Sequence, residues 1–481
     1  MPKLIPHKNM DIIRKNAARC KAHGIILPTI SQQMNPHNIP LELQNRIKEI
    51  GLWDLNPLNL FRITWKNDME TGLFGAPNYF EIPPEISGVR ARIVGLVGKY
   101  FPTGAHKVGA AYGCLLPLLV SGVFDPETQK SVWPSTGNYC RGGAFDAALL
   151  DCPAVAVLPE GMSEERFAWL REIGAEIILT PGSESNVKEI YDKCEELSHD
   201  PHYTILNHFE EPGNSFWNYQ VTGSALWETF QHIKKPANRL SAFVSATGSA
   251  GTIAAGDYLK KMSPHTMITA AEAMECPTML NNGFGEHRIE GIGDKHIPWV
   301  HNVRSTDNVA AVRDEDCIRL LRLFNEAAGH EYLHRQGVDF DTLKKLPLMG
   351  ISSIGNMLAA IKTARYYELD ENDVLLTCFT DSASMYASRI EKLKKDKGDY
   401  DTLQAAIDME GCLNAQSYDN FLELSYQDKK RIHHLKYFTW VEQQGRSEEE
   451  LNMQWDPQYW IETFENNLEE LDKAIEEFNS L

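Results

Sequence analysis

The sequence of 481 residues is poor in several features that mark whole classes of protein. Lys and Arg number 47 against 66 Asp and Glu, so the formal net charge is -19 and there is no overall basic excess to bind nucleic acid. The acidity is uneven, because residues 401–481 carry 18 acidic residues and 6 Lys or Arg. A nucleic-acid partner is therefore disfavoured, and the charge describes the C-terminal segment more than the rest.

Long hydrophobic runs and paired cysteines are also missing. The most apolar stretch, residues 113–124, is too short to span a bilayer and contains Pro117. The first 16 residues lack the apolar core of a signal peptide. Nine cysteines are scattered without a CxxC pair, which disfavours a zinc site and a disulfide framework. We therefore expect a cytoplasmic protein with no metal and no membrane partner.

Six short apolar runs recur along the middle of the chain, separated by helical patterns. Their near-continuous hydrophobicity is typical of strands in a parallel sheet that is covered on both faces. The alternation of strand and helix predicts an α/β fold with doubly wound parallel or mixed sheets. The predicted strands are residues 153–159, 175–181, 203–209, 241–247, 267–273 and 373–379.

The two ends of the chain differ from this middle part. We predict a helical N-terminal extension over residues 1–60 and an acidic helical tail over residues 396–481. Between them we place a smaller α/β domain over residues 61–205 and a larger one over residues 206–395.

The last helix of the tail is amphipathic. Asp456 is its predicted N-cap, and Pro457 occupies the first helical position. Apolar residues then follow at spacings of three and four, at Ile461, Phe464, Leu468, Leu471, Ile475 and Phe478. This stripe either packs on its own subunit, which we favour, or forms a dimer contact.

The segment PTGAHKVGAA, residues 102–111, places Lys107 after a Pro-Thr-Gly turn and before small residues. Desolvation lowers the pKa of a buried lysine, so that its amine can act as a nucleophile or base near neutral pH. A Schiff-base lysine requires this property. Taken alone, an exposed lysine at a helix start is the simpler interpretation.

The segment STGNYCRGG, residues 135–143, follows a strand end and enters an Ala-rich helix. Its first four residues, Ser135, Thr136, Gly137 and Asn138, can turn several backbone N–H groups toward one point. Such a nest at a helix N-terminus suits a carboxylate. The alternative is an ordinary strand-to-helix turn with an N-cap.

Two further loops follow predicted strands. ATGSAGTIAAG, residues 246–256, contains a run of small residues that suits a single phosphate, namely Gly248, Ser249, Ala250, Gly251 and Thr252. It lacks the GxGxxG spacing of a dinucleotide site. FTDSASMY, residues 379–386, places Asp381 and Ser382 at a strand's carboxyl end, where ligands bind in such sheets. A tight turn and a serine N-cap are the respective alternatives.

Together the four segments match the needs of one cofactor. Pyridoxal 5'-phosphate requires an amine for its aldehyde, a cradle for one phosphate and a partner for its ring nitrogen. The chain supplies these groups in Lys107, the loop at residues 248–252 and Ser382, and the nest at residues 135–138 adds a place for a carboxylate. The four segments therefore predict an enzyme that uses pyridoxal 5'-phosphate.

The sequence resembles the cysteine synthase and cystathionine β-synthase family of fold-type II, tryptophan-synthase-β-like pyridoxal-phosphate enzymes. The resemblance covers residues 92–388 and includes the segments around Lys107 and Asn138. Four further segments are similar to the family, namely LPEGMSEERFAWLREIGAEIILTPG, NHFEEPGNSFWNYQVTGSALWE, HRIEGIGDKHIP and MGISSIGNMLAA. The resemblance implies two α/β domains of that fold, an amino-acid substrate and a homodimer.

The resemblance also implies roles for individual residues. Lys107 corresponds to the Schiff-base lysine, which also carries the proton at the substrate Cα. The other correspondences are Asn138 at the ring 3'-oxygen; Ser135, Thr136, Gly137 and Tyr139 at the substrate carboxylate; Gly248, Ser249, Ala250, Gly251 and Thr252 at the phosphate; Gly291 and Gly293 along the other side of the cofactor; Ser382 at the pyridine nitrogen; and His208 near the carboxylate, where the family often has glutamine.

The partner of the ring nitrogen bears on the reaction. A carboxylate keeps the pyridine protonated, which suits transamination, whereas a hydroxyl such as that of Ser382 favours β-elimination. The resemblance thus implies that a serine-, O-acetylserine- or cysteine-type amino acid forms an aminoacrylate, which a thiol attacks or which is released as pyruvate and ammonia. A threonine- or serine-type dehydratase, a γ-replacing synthase and a non-enzymatic cofactor-binding scaffold stay open. An inward-pointing Asp381 would weaken the argument from Ser382.

The chain departs from the family pattern after Asn138. Tyr139-Cys140-Arg141 stands where smaller residues are common, which makes the mouth of the site bulkier. Arg141 either pairs with an anionic substrate group or points outward. Cys140 is either reactive or, as is more usual, buried and inert.

Overall fold

The computed structural model of the protein describes residues 3–5, 7–135, 137–161, 164–182, 187–293 and 295–481. Its strands form two sheets. The strands are β1 (Tyr79–Ile82), β2 (Arg92–Val97), β3 (Lys130–Pro134), β4 (Ala154–Pro159), β5 (Glu176–Thr180), β6 (Tyr203–Ile205), β7 (Arg239–Ala246), β8 (Met267–Ala273), β9 (Asn308–Val312), β10 (Asp373–Phe379) and β11 (Phe421–Glu423).

The larger sheet has seven strands in the order β1-β2-β10-β7-β8-β9-β11, and the smaller has four in the order β5-β4-β3-β6. All pairs are parallel except those of the two edge strands β1 and β11. Each of the six predicted strands is present, and β10 is buried along its whole length, as its continuous apolar sequence requires. The predicted fold class is confirmed.

Helices cover the sheets and form both ends of the chain. The α-helices are α1 (Met10–Ala22), α2 (Ile30–Met34), α3 (Leu41–Lys48), α4 (Pro84–Ser87), α5 (Lys107–Ser121), α6 (Asn138–Leu149), α7 (Glu164–Glu172), α8 (Val187–Ser198), α9 (Pro212–Trp217), α10 (Gly223–Ile233), α11 (Ala254–Met262), α12 (Thr278–Asn281), α13 (Asp314–Asn325), α14 (Ala327–Arg335), α15 (Phe340–Lys345), α16 (Ile351–Tyr366), α17 (Ala387–Lys397), α18 (Thr402–Met409), α19 (Tyr426–Lys436), α20 (Glu448–Met453), α21 (Pro457–Ile461) and α22 (Asn467–Ser480). π-Helical turns occupy Asn218–Thr222, Glu410–Asn414, Tyr437–Gln443 and Glu462–Asn466. Among the described residues no helix is long and apolar enough to cross a membrane.

Strand membership cuts across the predicted domain boundaries. β1 and β2 lie within residues 61–205 but pair in the larger sheet, where β2 neighbours β10. β11 lies in the tail and pairs antiparallel with β9. Residues 61–205 therefore serve both sheets, because sheet order depends on long-range pairing that local sequence does not encode.

The two ends of the chain pack on each other and on α5. Ile13 and Ala17 of α1 share one buried core with Leu471, Ile475 and Phe478 of α22. Asp472 of α22 accepts hydrogen bonds from the backbone N–H groups of residues 30 and 31, at 2.7 and 3.2 Å. The amphipathic stripe thus packs on its own subunit, as favoured, although Ile461 is exposed. Asp456 caps α21 as predicted, accepting from the backbone N–H of residue 458.

Lys436 ties the tail to the larger α/β unit. Its side chain is fully buried, and Nζ donates to the carbonyl oxygens of Trp299 (2.9 Å) and His301 (2.7 Å) and to Oε1 of Gln454 (2.7 Å). Three acceptors match the three N–H donors of an ammonium group. The Lys436 side chain therefore links the loop before β9, which holds Trp299 and His301, to the tail residue Gln454.

Replacing Lys436 with methionine should lower the free energy of unfolding by about 2–4 kcal/mol, because three buried acceptors lose their donor. Urea denaturation followed by circular dichroism measures this change. The matched control is Lys473→Met on the exposed surface of α22, for which a change within about 0.5 kcal/mol is expected. Equal stabilities of the two variants would contradict the bridging role.

Candidate active site

The loops after β3, β7 and β10 meet the start of α5 around one cleft. The cleft lies at the carboxyl ends of strands from both sheets, which is where ligands bind in open α/β folds. It encloses about 1150 Å³ of empty space, counting its open mouth. The predicted site residues that line it are Lys107, Ser135, Gly137, Asn138, Tyr139, His208, Gly248, Ser249, Ala250, Gly251, Thr252, Gly291 and Gly293.

Lys107 is the first residue of α5, and its side chain reaches into the cleft. A turn with positive φ at Thr103 (72°) and Gly104 (76°) reverses the chain before the helix begins. Lys107 Nζ donates to Ser249 Oγ at 2.7 Å, in the loop predicted to hold phosphate. The amine and the phosphate loop, which lie 142 residues apart in sequence, are therefore neighbours.

His106, the residue before Lys107, also contacts the loop at residues 248–252. Its ring stacks on Trp65 and its Nε2 lies 2.8 Å from Thr252 Oγ1. Burial and the neighbouring Lys107 charge lower the pKa of His106 to about 3. His106 is therefore neutral near pH 7 and adds no second positive charge beside the amine.

The loop at residues 248–252 joins β7 to α11 and leaves its backbone open to the cleft. A Cβ at Gly248 would lie 2.8 Å from the carbonyl oxygen of Gly291, and a Cβ at Gly251 would overlap Oδ1 of Asn214. Ala250 has a φ of 57°, a conformation that L-residues rarely adopt. Asn214 Nδ2 donates to Ser249 Oγ at 3.1 Å and holds the loop from behind.

The asparagine loop faces the phosphate loop across the cleft. Asn138 opens α6, and its Nδ2 donates to Asp381 Oδ2 at 2.8 Å. Its Oδ1 is buried and has no hydrogen-bond partner among the described residues. The backbone N–H of Gly137 donates to Ser135 Oγ at 3.1 Å. Thr136, predicted at the substrate carboxylate, lies outside the described residues.

Tyr139 and His208 form one stacked pair beside this loop. Their ring centroids lie 3.9 Å apart, and Tyr139 OH donates to the carbonyl oxygen of Leu206 at 2.9 Å. Arg141 does not line the cleft, since its guanidinium lies 4.3 Å from the ring centroid of Trp169. Cys140 is buried.

The strand end at residues 380–382 differs in detail from the arrangement implied by the resemblance. Ser382 Oγ lies 2.8 Å from Ser384 Oγ, and Ser382 is not among the described residues that line the cleft. Asp381 Oδ2 instead accepts from Asn138 and, at 2.7 Å, from the hydroxyl of Tyr386. The assignment of Ser382 to the ring nitrogen therefore stays a prediction, and Asp381 lies one side chain behind the cleft.

Comparison with known proteins decides the family. The family described as pyridoxal-phosphate dependent enzyme matches residues 99–331. A cysteine synthase of Staphylococcus aureus is 30% identical over 258 residues, which are 53% of this chain and 75% of that protein. The chain belongs to the cysteine synthase family of pyridoxal-phosphate-dependent enzymes. A probable cysteine synthase of Bacillus subtilis is 28% identical over 283 residues, covering 58% of this chain and 83% of that protein.

Solved structures of the cysteine synthase family show the same fold. O-acetylserine sulfhydrylase isoform 3 of Entamoeba histolytica superposes with a TM-score of 0.57 at 22% identity, over 70% of this chain and 93% of that one. The O-acetylserine-dependent cystathionine β-synthase of Helicobacter pylori gives 0.53 at 25% identity, over 64% and 94%. The family, fold and cofactor predicted from the sequence are confirmed.

The cleft fits the family's cofactor on its own geometry. The loop at residues 248–252 offers backbone N–H groups and two hydroxyls to the cleft. Its glycines stand at positions where a Cβ would collide with neighbouring atoms. The buried Oδ1 of Asn138 has no hydrogen-bond partner in the described part of the chain, and Lys107 supplies the amine. Lys107, Asn138 and the loop are therefore the residues that would hold pyridoxal 5'-phosphate in this family member.

Sequence reasoning missed part of the cleft lining. Ser352 and Asn356 line it from α16, and both stand in the family-like segment MGISSIGNMLAA, which was a usable signal. Phe209 also lines it and stands in the family-like segment that begins at Asn207, next to His208. Ile190 and Tyr191 line it as well, but nothing in their local sequence indicated this. Their positions depend on how α8 and the loop after β6 pack.

Glu211, the N-cap residue of α9, should make stability depend on pH. Burial, followed by the nearby Glu210 charge, raises the pKa of Glu211 from 4.5 to about 7. The folded state therefore binds the Glu211 proton more tightly than the unfolded state does. The stability that this proton adds is complete below about pH 4.5 and is lost as pH rises through about 7. From pH 6 to pH 8 the loss is about 1 kcal/mol. Urea denaturation should show this slope in the wild type and a smaller one in Glu211→Gln; identical slopes would contradict it.

Proposed function

We propose that this family member catalyses β-elimination or β-replacement on a β-substituted L-amino acid of the serine, O-acetylserine or cysteine type. One observation carries the proposal, namely that the amine of Lys107, the loop at residues 248–252 and the asparagine loop meet in a single cleft. The relatives named cysteine synthase support the same reaction class.

The residues of the chain have separable tasks in this reaction. When bound, pyridoxal 5'-phosphate supplies an aldehyde for the substrate amine and an electron sink for the Cα carbanion. Lys107 removes the Cα proton and holds it on Nζ. Ser135, Gly137 and the N-terminus of α6 bind the substrate carboxylate through O–H and N–H donors. Ser249 and Thr252 contribute hydroxyls toward the phosphate.

The direct test is a substrate panel with purified holoenzyme. L-serine, O-acetyl-L-serine, L-cysteine and L-threonine are each supplied with and without sulfide, and pyruvate, 2-oxobutyrate, ammonia and thioether products are measured. We expect turnover of at least one of the first three and a shift of the cofactor's visible band at ~410 nm. Preferential release of 2-oxobutyrate from threonine would indicate the dehydratase alternative. A cofactor band that responds to none of the four would indicate a scaffold.

We also propose that the enzyme is a homodimer, as the family resemblance implies, and that it is cytoplasmic. The nine cysteines all lie in the described part of the chain, where they are buried and form no disulfide, which is usual for proteins of reducing compartments. Size-exclusion chromatography coupled to light scattering should give a mass of twice the 54.4 kDa of one chain. A mass of one chain at micromolar concentration would contradict the dimer.

A further inference from the structure

One side of the cleft is formed by five mostly aromatic residues, Tyr139, Ile190, Tyr191, His208 and Phe209, which we call the aromatic wall. They come from α6, from α8 and from the loop after β6, all on the side of the smaller sheet. Successive ring centroids are close, at 3.9 Å for Tyr139 and His208 and at 4.3 Å for His208 and Phe209. The aromatic wall is therefore continuous.

The aromatic wall stands on the substrate side of the cleft. Tyr139 directly follows Asn138, and the wall thus continues from the loop assigned to the substrate carboxylate. The phosphate loop lies on the larger sheet instead, after β7. A group attached to the substrate Cβ can therefore contact the aromatic wall without meeting the phosphate loop.

The aromatic wall carries no charge near neutral pH. Burial, followed by the charge of Lys107, lowers the pKa of His208 well below its usual value. Burial also lowers the pKa of His296, which lies behind the wall, to about 4. Lys107 is the only lysine or arginine among the described residues that line the cleft. Arg141, two residues after Tyr139, lies over the ring of Trp169, and Arg446 pairs with Glu210, the residue after Phe209.

The C-terminal segment fixes the aromatic wall from behind. Trp440 Nε1 donates to the carbonyl oxygen of Ile297 at 2.8 Å, and its ring centroid lies 6.0 Å from that of Tyr191. Tyr191 OH lies 3.0 Å from Nε2 of His296, which packs between Phe209 and Trp440. These contacts hold the rings in place, and they give the C-terminal tail a role beside the cleft.

We propose that the aromatic wall selects β-substituents and incoming nucleophiles that are uncharged and apolar or aromatic. This selectivity rests on the proposed β-replacement function and specifies its substrate class. An apolar group gains by burial against the rings, whereas a carboxylate or phosphate there loses hydration and meets no cleft-lining cation other than Lys107, whose amine is assigned to the cofactor and the Cα proton. In the replacement, the Cβ–O bond to acetate breaks with its electron pair leaving on acetate, and the thiol sulfur forms the new Cβ–S bond. The thiol proton is released with acetate, so no oxidant or reductant is needed.

The test compares nucleophiles on the holoenzyme with O-acetyl-L-serine as donor. We expect kcat/KM for phenylmethanethiol to exceed that for mercaptoacetate by at least roughly tenfold, the discrimination typical of an apolar pocket. In Phe209→Ala and Tyr191→Ala this ratio should fall toward one. The matched control is Phe438→Ala, an exposed ring of the tail, which should keep the wild-type ratio.

The outcomes separate the two proposals. If sulfide is used but mercaptoacetate reacts as well as phenylmethanethiol, the selectivity of the aromatic wall is overturned while β-replacement stands. If no donor of the panel reacts with any thiol, sulfide included, both proposals fall. The ratio of the two thiols in the wild type tests the selectivity without any variant. Misfolding of Phe209→Ala, which its melting temperature would reveal, therefore leaves this test intact.

Discussion

Replacing Lys107 with alanine is expected to lower kcat by at least roughly 10³-fold on the best substrate of the panel. Lys107 is the only lysine among the described residues that line the cleft, and its Nζ contacts the loop assigned to the phosphate. If the proposed assignment is right, its loss removes both the amine that binds the cofactor aldehyde and the base at the substrate Cα. The visible band of the reconstituted protein should disappear together with the activity.

Two variants make this result specific. Lys107→Arg keeps a positive charge beside Ser249, but a guanidinium stays protonated and cannot supply a nucleophilic amine, so it should be as inactive as the alanine variant. Lys99→Ala changes a nearby lysine that does not line the cleft and should retain wild-type kcat. Retention of more than a tenth of the activity in Lys107→Ala would rule out its assigned role.

Gly213→Ala is expected to lower the free energy of unfolding by about 2–3 kcal/mol, because overpacking of a tight contact forces backbone shifts. Gly213 lies in α9 against Gly113 of α5, and a Cβ on Gly213 would overlap the carbonyl oxygen of Gly113. α5 carries Lys107, and α9 carries Asn214, whose amide holds Ser249. The substitution therefore separates two helices that bring the amine to the phosphate loop.

Gly355→Ala is the matched control, since Gly355 is also buried in a helix, α16. A Cβ there would meet its nearest neighbour, Cys317 Sγ, at 3.7 Å, which is ordinary contact. Alanine is favoured over glycine in a helix interior by about 0.5–1 kcal/mol, so this variant should be slightly more stable than the wild type. Urea denaturation measures both changes, and equal signs for the two variants would show that the close helix approach is not what matters at Gly213.

Several parts of the cleft follow from the sequence because each is a local pattern. Lys107 follows a turn and begins a helix, and the run of small residues at 248–252 follows a strand. Parallel strands present their carboxyl ends at the same edge of a sheet, so loops that are distant in sequence were expected to meet. The contact between Lys107 and Ser249 agrees with that expectation.

Other parts depend on side-chain direction, which a strand or loop sequence leaves open. Asp381 and Ser382 are adjacent in sequence, but only the packed structure turns Asp381 toward Asn138 and pairs Ser382 with Ser384. Likewise, β2 precedes the Lys107 turn in sequence, yet it pairs with β10, about 280 residues later in the chain. Such pairings follow from the burial of whole sheets rather than from any short segment.

The amino-acid sequence alone determined six of the strands, the family and the cofactor, and it predicts the lysine that binds the cofactor, because these depend on short patterns of residue type. The tertiary structure alone decided which chain segments share a sheet, that the C-terminal segment stands behind the cleft, and that an aromatic wall lines one side of the cleft. The physical reason is that Trp440, Tyr191 and Phe209 become neighbours only when distant helices bury their apolar surfaces together.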